Sequence, residues 1–362
     1  MKIKNVTHDE IPQWESLSRE YDGYVKELVP DLTLWYEGNE TLPSFDVYMK
    51  RRIDNHEAFM ATNDENDCLG IIAISKRNNN ITFFAVSHKY DLDSVGGMLL
   101  QHGLAQLDKN TVVKINELDS NAEQITKVFA LLDKFQFTYL HNEWEHGVPV
   151  KCLGRIPNKP NKIIIVGGFP ATGKSTFSRG LSLRLKLPCF NKDTIKEVMG
   201  DGFGIENAEL INRNKKGSEA TFKLMLHIAE RFMQTGNACI LESNFSELYP
   251  QPLSESNQLK QLVEKYNYDC LTFAFTGDPD VLGQRYADRD NERHWVHEKV
   301  AGAKDVIKDY CTRTKLDEIE IGQTIKVDTT VFENVDFEAL YKTAEKFITL
   351  SNYSQKTTFA NR

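Results

Sequence analysis

The sequence predicts two units in tandem: an α+β domain with a mostly antiparallel sheet, then an α/β domain whose parallel sheet is flanked by helices. Three observations carry this. The chain has 362 residues, more than one ordinary domain of ~150 residues needs. Its 40% hydrophobic and 27% charged content suits globular cores and excludes disordered, collagen-like and coiled-coil chains. Finally, Pro149, Pro157 and Pro160, interspersed with Lys151, Arg155, Lys159 and Lys162, interrupt periodic patterns on both sides. Proline biases its predecessor toward extended backbone and lacks a donor N–H, so 151–161 reads as a linker between domains 1–150 and 162–362.

In the first half, helical patterns cover Ile11 to Tyr21 and Phe45 to Asn55, and the opening residues Met1 to Val6 begin like a strand. Strands follow at Ala58–Ala61, Cys68–Ser75 and Asn80–Val86, the last two reading as a hairpin across Arg77-Asn78-Asn79. A helix from Val95 to Asp108, a strand from Thr111 to Glu117, a helix from Asn121 to Phe135 and a strand from Phe137 to Trp144 complete it. Trp14, Trp35 and Trp144 are too widely spaced for a base-stacking platform and are expected in the core or a pocket wall.

The second half opens with Ile163-Ile164-Ile165-Val166, a β-branched run typical of a buried parallel strand. It leads into Gly168-Phe169-Pro170-Ala171-Thr172-Gly173-Lys174-Ser175, a complete G-x-x-x-x-G-K-[ST] match, followed by Thr176 and an amphipathic segment. The spacing has a chemical reason. Glycines let successive backbone N–H groups wrap a phosphate, Lys174 supplies a cation, Ser175 can join a Mg²⁺ shell, and the following helix N-terminus favours anions. Downstream, strands at Leu187–Phe190, Ala238–Leu241, Cys270–Thr276 and Thr324–Val327 alternate with helices, one of them Ser218–Thr235. Ligands of such sheets sit beyond the strand carboxyl ends, where Lys174, Asp193 and Glu242 all fall. Arg285, Arg289 and Arg293 recur every fourth residue, which on a helix puts three guanidiniums on one face.

These motifs, from Lys162 to about Thr330, resemble small P-loop kinases of the polynucleotide-kinase, zeta-toxin and antibiotic-phosphotransferase kind. The resemblance implies ATP and Mg²⁺ as cofactors. It makes Asp193, within Asn191-Lys192-Asp193-Thr194, the residue that binds and deprotonates an acceptor hydroxyl, Glu242 a metal-site acid, and the three arginines a lid over the transferred phosphoryl group. No Asn-Lys-x-Asp guanine-reading motif stands where a switch GTPase needs one.

Residues 1–148 resemble GNAT-type N-acetyltransferases in element order. The family's pyrophosphate motif, Arg/Gln-x-x-Gly-x-Gly/Ala, corresponds to Asp91-Leu92-Asp93-Ser94-Val95-Gly96, in which Gly96 alone is kept. The resemblance nominates Val86, Gly96, Gly97 and Asn121 as an acyl-coenzyme A site, with Glu117 as a candidate base. Leu132 replaces the usual tyrosine acid, and Asp91 and Asp93 put negative charge beside a diphosphate.

The expected activity is phosphoryl transfer from ATP to a hydroxyl of a small molecule such as a nucleoside, sugar or antibiotic. A bifunctional acetyltransferase–kinase using acetyl-coenzyme A, a nucleotide-gated ligand sensor and a polynucleotide 5′-kinase remain alternatives. The net charge of −8 disfavours nucleic acid while leaving room for a cationic substrate. Six cysteines without a Cys-x-x-Cys pair argue against a zinc site and read as reduced thiols. With neither an apolar leader nor a membrane span in the sequence, the expected location is cytoplasmic; nothing in it sets the oligomeric state.

Overall fold

A computed structural model describes residues 1–30, 45–145, 148–204, 216–245, 254–289, 292–297, 299, 301–314, 316 and 318–349. They form two compact units, Met1–Asn158 and Lys159–Arg362.

The first unit runs β1 (Lys2–Asn5), α1 (Ile11–Leu28), α2 (Phe45–Asp54), β2 (Ala58–Thr62), β3 (Cys68–Ser75), β4 (Asn80–Val86), α3 (Leu92–Ala105), β5 (Val113–Leu118), α4 (Glu123–Lys134), β6 (Phe137–Glu145) and β7 (Val148–Arg155). Its sheet has the order β1-β2-β3-β4-β5-β7-β6. Every neighbouring pair is antiparallel except β4 and β5, which run parallel. Leu99 and Leu100 of α3 and Leu131 and Leu132 of α4 pack with Ile72, Phe84 and Ile115 in one buried cluster. Trp14 and Leu17 of α1 and Met49 of α2 pack with Met60, Ile71 and Ala85 in another.

Two expectations need correction. The residues from 151 are not a linker: Val148–Arg155 is strand β7, hydrogen-bonded on both sides, to β5 and β6. The chain passes between units only from Ile156 to Pro160. Pro149 misleads because pairing overrides the local rule it breaks. A Cβ on Gly154 would lie 2.6 Å from Leu140 Cδ1, so close packing, rather than a turn, demands this glycine. Trp144, expected inside, is 78% exposed, whereas Trp14 is fully buried. Trp35 lies outside the described residues.

The second unit runs β8 (Asn161–Gly168), α5 (Lys174–Leu185), β9 (Cys189–Asn191), α6 (Lys192–Phe203), α7 (Lys216–Gln234), β10 (Ile240–Glu242), α8 (Glu255–Lys265), β11 (Tyr268–Thr276), α9 (Pro279–Arg289), α10 (Ala303–Arg313), β12 (Gln323–Asp328) and α11 (Phe337–Thr349). The sheet order is β12-β11-β8-β10-β9, with every pair parallel. Ile163 to Val166 are completely buried, as a central strand covered on both faces requires. Phe177 and Leu181 of α5 fill one side against Phe273, Phe275 and α11. Because the strands are parallel, the loops after β8, β9 and β10 open at one edge of the sheet.

Candidate functional site

The phosphate loop is shaped by two glycines no other residue can replace. Gly168 has φ 113°, and a Cβ there would lie 2.0 Å from the Phe275 carbonyl oxygen. Gly173, φ 83°, caps α5 in the left-handed region, where a Cβ would come within 2.6 Å of the Phe332 ring. Between them, Phe169 is buried, and Thr172 Oγ1 donates to its carbonyl at 2.8 Å. The chain so bent turns back into the N-terminus of α5, a place where backbone dipoles favour an anion.

Lys174 is folded onto this loop. Its Nζ donates to the Gly168 carbonyl at 3.1 Å and to the Phe169 carbonyl. Burial pushes its ammonium down to about 8, with Arg289 adding to the shift and the charges of Glu242 and Asp193 opposing it. The cation is thus held by carbonyls alone, ready to exchange them for phosphate oxygens.

Glu242 ends the buried strand β10 beside β8. Its carboxylate accepts from Ser175 Oγ at 2.6 Å and from Ser178 Oγ, one turn apart on α5. A hydroxyl and a carboxylate at this spacing form a hard-oxygen donor set of the kind Mg²⁺ takes, so the residues present fit that ion. Asn191, last in β9, caps α6 by accepting from Thr194 N at 2.9 Å, and its Nδ2 lies 3.5 Å from Ser175 Oγ. That cap sets Asp193 in the first turn of α6, exposed and facing the same space.

Two cavities meet here. One of about 510 Å³ is lined by Pro170 to Thr176, Ser243, Tyr310 and Arg313 among others. The second, about 560 Å³, extends past Arg179, Cys189, Thr194, Glu197 and His297. Ser175, Asn191, Asp193, Glu242, Arg289 and Arg293 line both. The sequence-derived residues of this half from Pro170 to Glu242 therefore converge, with Arg289 and Arg293, on these cavities, while Gly168 and Phe169 line neither. Arg285 turns away: its guanidinium donates to the Thr329 and Thr330 carbonyls at 2.6 and 3.1 Å, and it lines neither cavity. Nor do the three arginines share one helical face, because α9 ends at Arg289. Arg293 lies beyond it, its guanidinium over the Tyr286 ring and donating to that hydroxyl.

Residues the motifs did not announce complete the wall. The segment 292–297 is fastened to α6: His297 Nε2 and Glu197 Oε1 are 2.9 Å apart, as are His294 Nε2 and Asp201 Oδ1. Val296 packs at Gly200, where a Cβ would meet it at 2.8 Å. Burial lowers the His297 pKa, against the pull of Asp193 and Glu197. Arg179 could have been found, since it follows Ser175 by four residues and so shares its helix face. No spacing rule links Glu197 to His297.

In the first unit, β4 and β5 pair only at Asn80 with Lys114 and Ile81 with Ile115, then diverge. Beyond the end of β4, walled by α1 and α4, lies a cleft of about 450 Å³ lined by Tyr21, Tyr24, Phe84, Val86, His88 and Asp91, among others. Of the nominated acyl-coenzyme A residues, Val86 lines it, whereas Gly96, Gly97 and Asn121 do not. Gly96 is a packing glycine: a Cβ would lie 2.8 Å from Leu131 Cδ2. Two amides at this edge are occupied by the chain's own carboxylates, whose charge opposes a diphosphate. Asp91 Oδ2 accepts from Ser94 N at 2.8 Å, and Glu20 Oε1 from His88 N at 2.9 Å. The residues present therefore do not fit coenzyme A. Glu117 is buried, accepts from Tyr21 Oη at 2.8 Å, and has its pKa raised by that burial; it does not line the cleft.

A family model described as an AAA domain matches residues 163–311, inside the second unit. No curated protein matches the sequence. Among solved structures, a provisionally described kinase from Chloroflexus aurantiacus is 26% identical, covering 53% of this chain and 97% of its own, at TM-score 0.43. Shikimate kinase from Acinetobacter baumannii is 17% identical, covering 54% and 96%, at TM-score 0.37. A GNAT-family acetyltransferase from Listeria monocytogenes is 11% identical, covering 42% and 94%, at TM-score 0.30.

Proposed function

We propose that the second unit is an ATP-dependent kinase that transfers the γ-phosphoryl group to a hydroxyl of a small molecule. One observation carries this reading: a phosphate-loop cavity and a second cavity of similar size share a wall made of Ser175, Asp193, Glu242, Arg289 and Arg293. A hydrolase needs room for one nucleotide and a water, whereas two contiguous compartments suit a donor and an acceptor held in line.

In this arrangement the loop and Lys174 hold the β- and γ-phosphates. Ser175 and Glu242 hold Mg²⁺, which when bound neutralises charge on the phosphate oxygens. Asp193 accepts the proton of the acceptor hydroxyl as its oxygen bonds to the γ-phosphorus. The bond from that phosphorus to the β–γ bridging oxygen breaks, and ADP leaves. Arg289 and Arg293 face the equatorial oxygens, where charge accumulates in the transition state.

The test is Mg²⁺-ATP consumption across a panel of hydroxyl compounds, comparing the protein with Lys174→Ala and Asp193→Asn. Acceptor-dependent ADP release that falls at least a hundredfold in both variants supports the reading. Equal phosphoryl transfer in all three proteins refutes it.

A further inference from the structure

The acceptor compartment carries a cation whose charge the transfer chemistry does not use. Arg179 projects from α5 one turn beyond Ser175 and lines the acceptor cavity while taking no part in the wall of the phosphate-loop cavity. Among the described residues it has no hydrogen-bond or ion-pair partner. Its situation differs from that of the other charged groups around it. Glu197 is paired with His297 at 2.9 Å, and Glu242 is engaged by Ser175 and Ser178. Arg289 and Arg293 also line the donor side, where the triphosphate takes their charge. Asp193 must stay open to receive a proton. Once the donor and base are assigned, one arginine is left that lines only the acceptor side, in a wall that also contains Thr194.

From this remaining charge we infer that the acceptor bears an anionic group, a carboxylate or a phosphate monoester, besides its reactive hydroxyl, and that Arg179 is the residue that selects it. The inference rests on the kinase reading and narrows its substrate class. A planar guanidinium presents paired N–H donors that match two oxygens of either anion. A cationic acceptor, which the overall charge left room for, would meet Arg179 with like charge. A neutral nucleoside or sugar would offer the exposed Arg179 no charge to pair with.

The experiment uses the full chain with Mg²⁺-ATP and two matched trios: glycerol, glycerate and glycerol 3-phosphate, then ribose, ribonate and ribose 5-phosphate. The carboxylate and phosphate arms separate the two anion sources. The expected result is transfer to at least one anionic member with kcat/KM about a hundredfold or more above its neutral counterpart. Arg179→Ala raises the KM for that acceptor about tenfold to hundredfold, the range for a lost charge-assisted hydrogen bond, and changes kcat less. Arg179→Lys restores part of the loss. A neutral acceptor preferred over both anions, or an anionic one indifferent to Arg179→Ala, overturns the inference while leaving the kinase intact.

Binding gives a second readout that turnover does not control. With the donor compartment saturated by a non-hydrolysable ATP analogue and Mg²⁺, inorganic phosphate binds saturably in a thermal-shift titration, and Arg179→Ala abolishes that binding. No saturable binding, or equal binding by the variant, overturns the inference even where no acceptor in either trio is phosphorylated. Absent transfer to any acceptor, including neutral ones, counts instead against the kinase reading.

Discussion

Lys174 makes nucleotide binding depend on pH in a range where an ordinary lysine is silent. In the free protein burial pushes its ammonium down to about 8, because the two carbonyls and the nearby charges of Glu242 and Asp193 offset that burial only in part. Bound phosphates favour the charged form, so binding above that pH takes up a proton. The sign follows. Near pH 7 about nine-tenths of the lysines are already charged and affinity is at its plateau; near pH 9 only about a tenth are. If only the charged form binds, Kd rises about tenfold between those limits, or ~1.4 kcal/mol. The phosphate groups themselves titrate near pH 6 and add nothing to this slope. Isothermal titration with Mg²⁺ and a non-hydrolysable ATP analogue, repeated in buffers of different ionisation enthalpy, measures both the slope and the proton uptake. Lys174→Met binds more weakly and loses the slope. A Kd that is flat from pH 7 to 9, or a slope that survives in Lys174→Met, refutes the assignment.

Other outcomes follow from the same geometry. Arg285→Ala removes two hydrogen bonds to the Thr329 and Thr330 carbonyls, so it lowers unfolding stability by up to about 2 kcal/mol in urea titration. Arg289→Ala, by contrast, acts on kcat; a larger kcat loss for Arg285→Ala than for Arg289→Ala contradicts this placement. His297 has a folded pKa lowered from 6.5 by burial, so the neutral form is the one that docks on α6. Stability from that docking is therefore present above about 6.5 and is lost as the pH falls below it. The melting temperature of His297→Gln drops less on acidification than that of the unmodified chain, and equal drops argue against the latch. Finally, calorimetry with acetyl-coenzyme A shows no saturable heat, because Glu20 and Asp91 already occupy two amides and their charge opposes its diphosphate; micromolar binding overturns that reading of the cleft.

The two halves differed in how openly their sequences spoke. The phosphate loop was legible because its chemistry is local: eight contiguous residues from Gly168 to Ser175 create the bend, cation and hydroxyl, and the β-branched strand before them sets the register. Asp193 and Glu242 were found because strand ends in a parallel sheet share an edge. Arg285 was misplaced because spacing gives the direction of a side chain along a helix but not the carbonyls that capture it. The acyl-coenzyme A residues were carried over by position, yet Gly96 serves α3–α4 packing and Asp91 caps its own helix.

By itself, then, the sequence determined the two units, the loop between β8 and α5 and the acids at the ends of β9 and β10. These depend on neighbours in the chain or on the period of an element. Only the tertiary structure decided that Val148–Arg155 is a strand and that Arg285 faces away. It alone brought Glu197 and His297 to one cavity wall. Each of those outcomes is set by contacts between residues tens or a hundred positions apart, where hydrogen-bond pairing and close packing outweigh local preference.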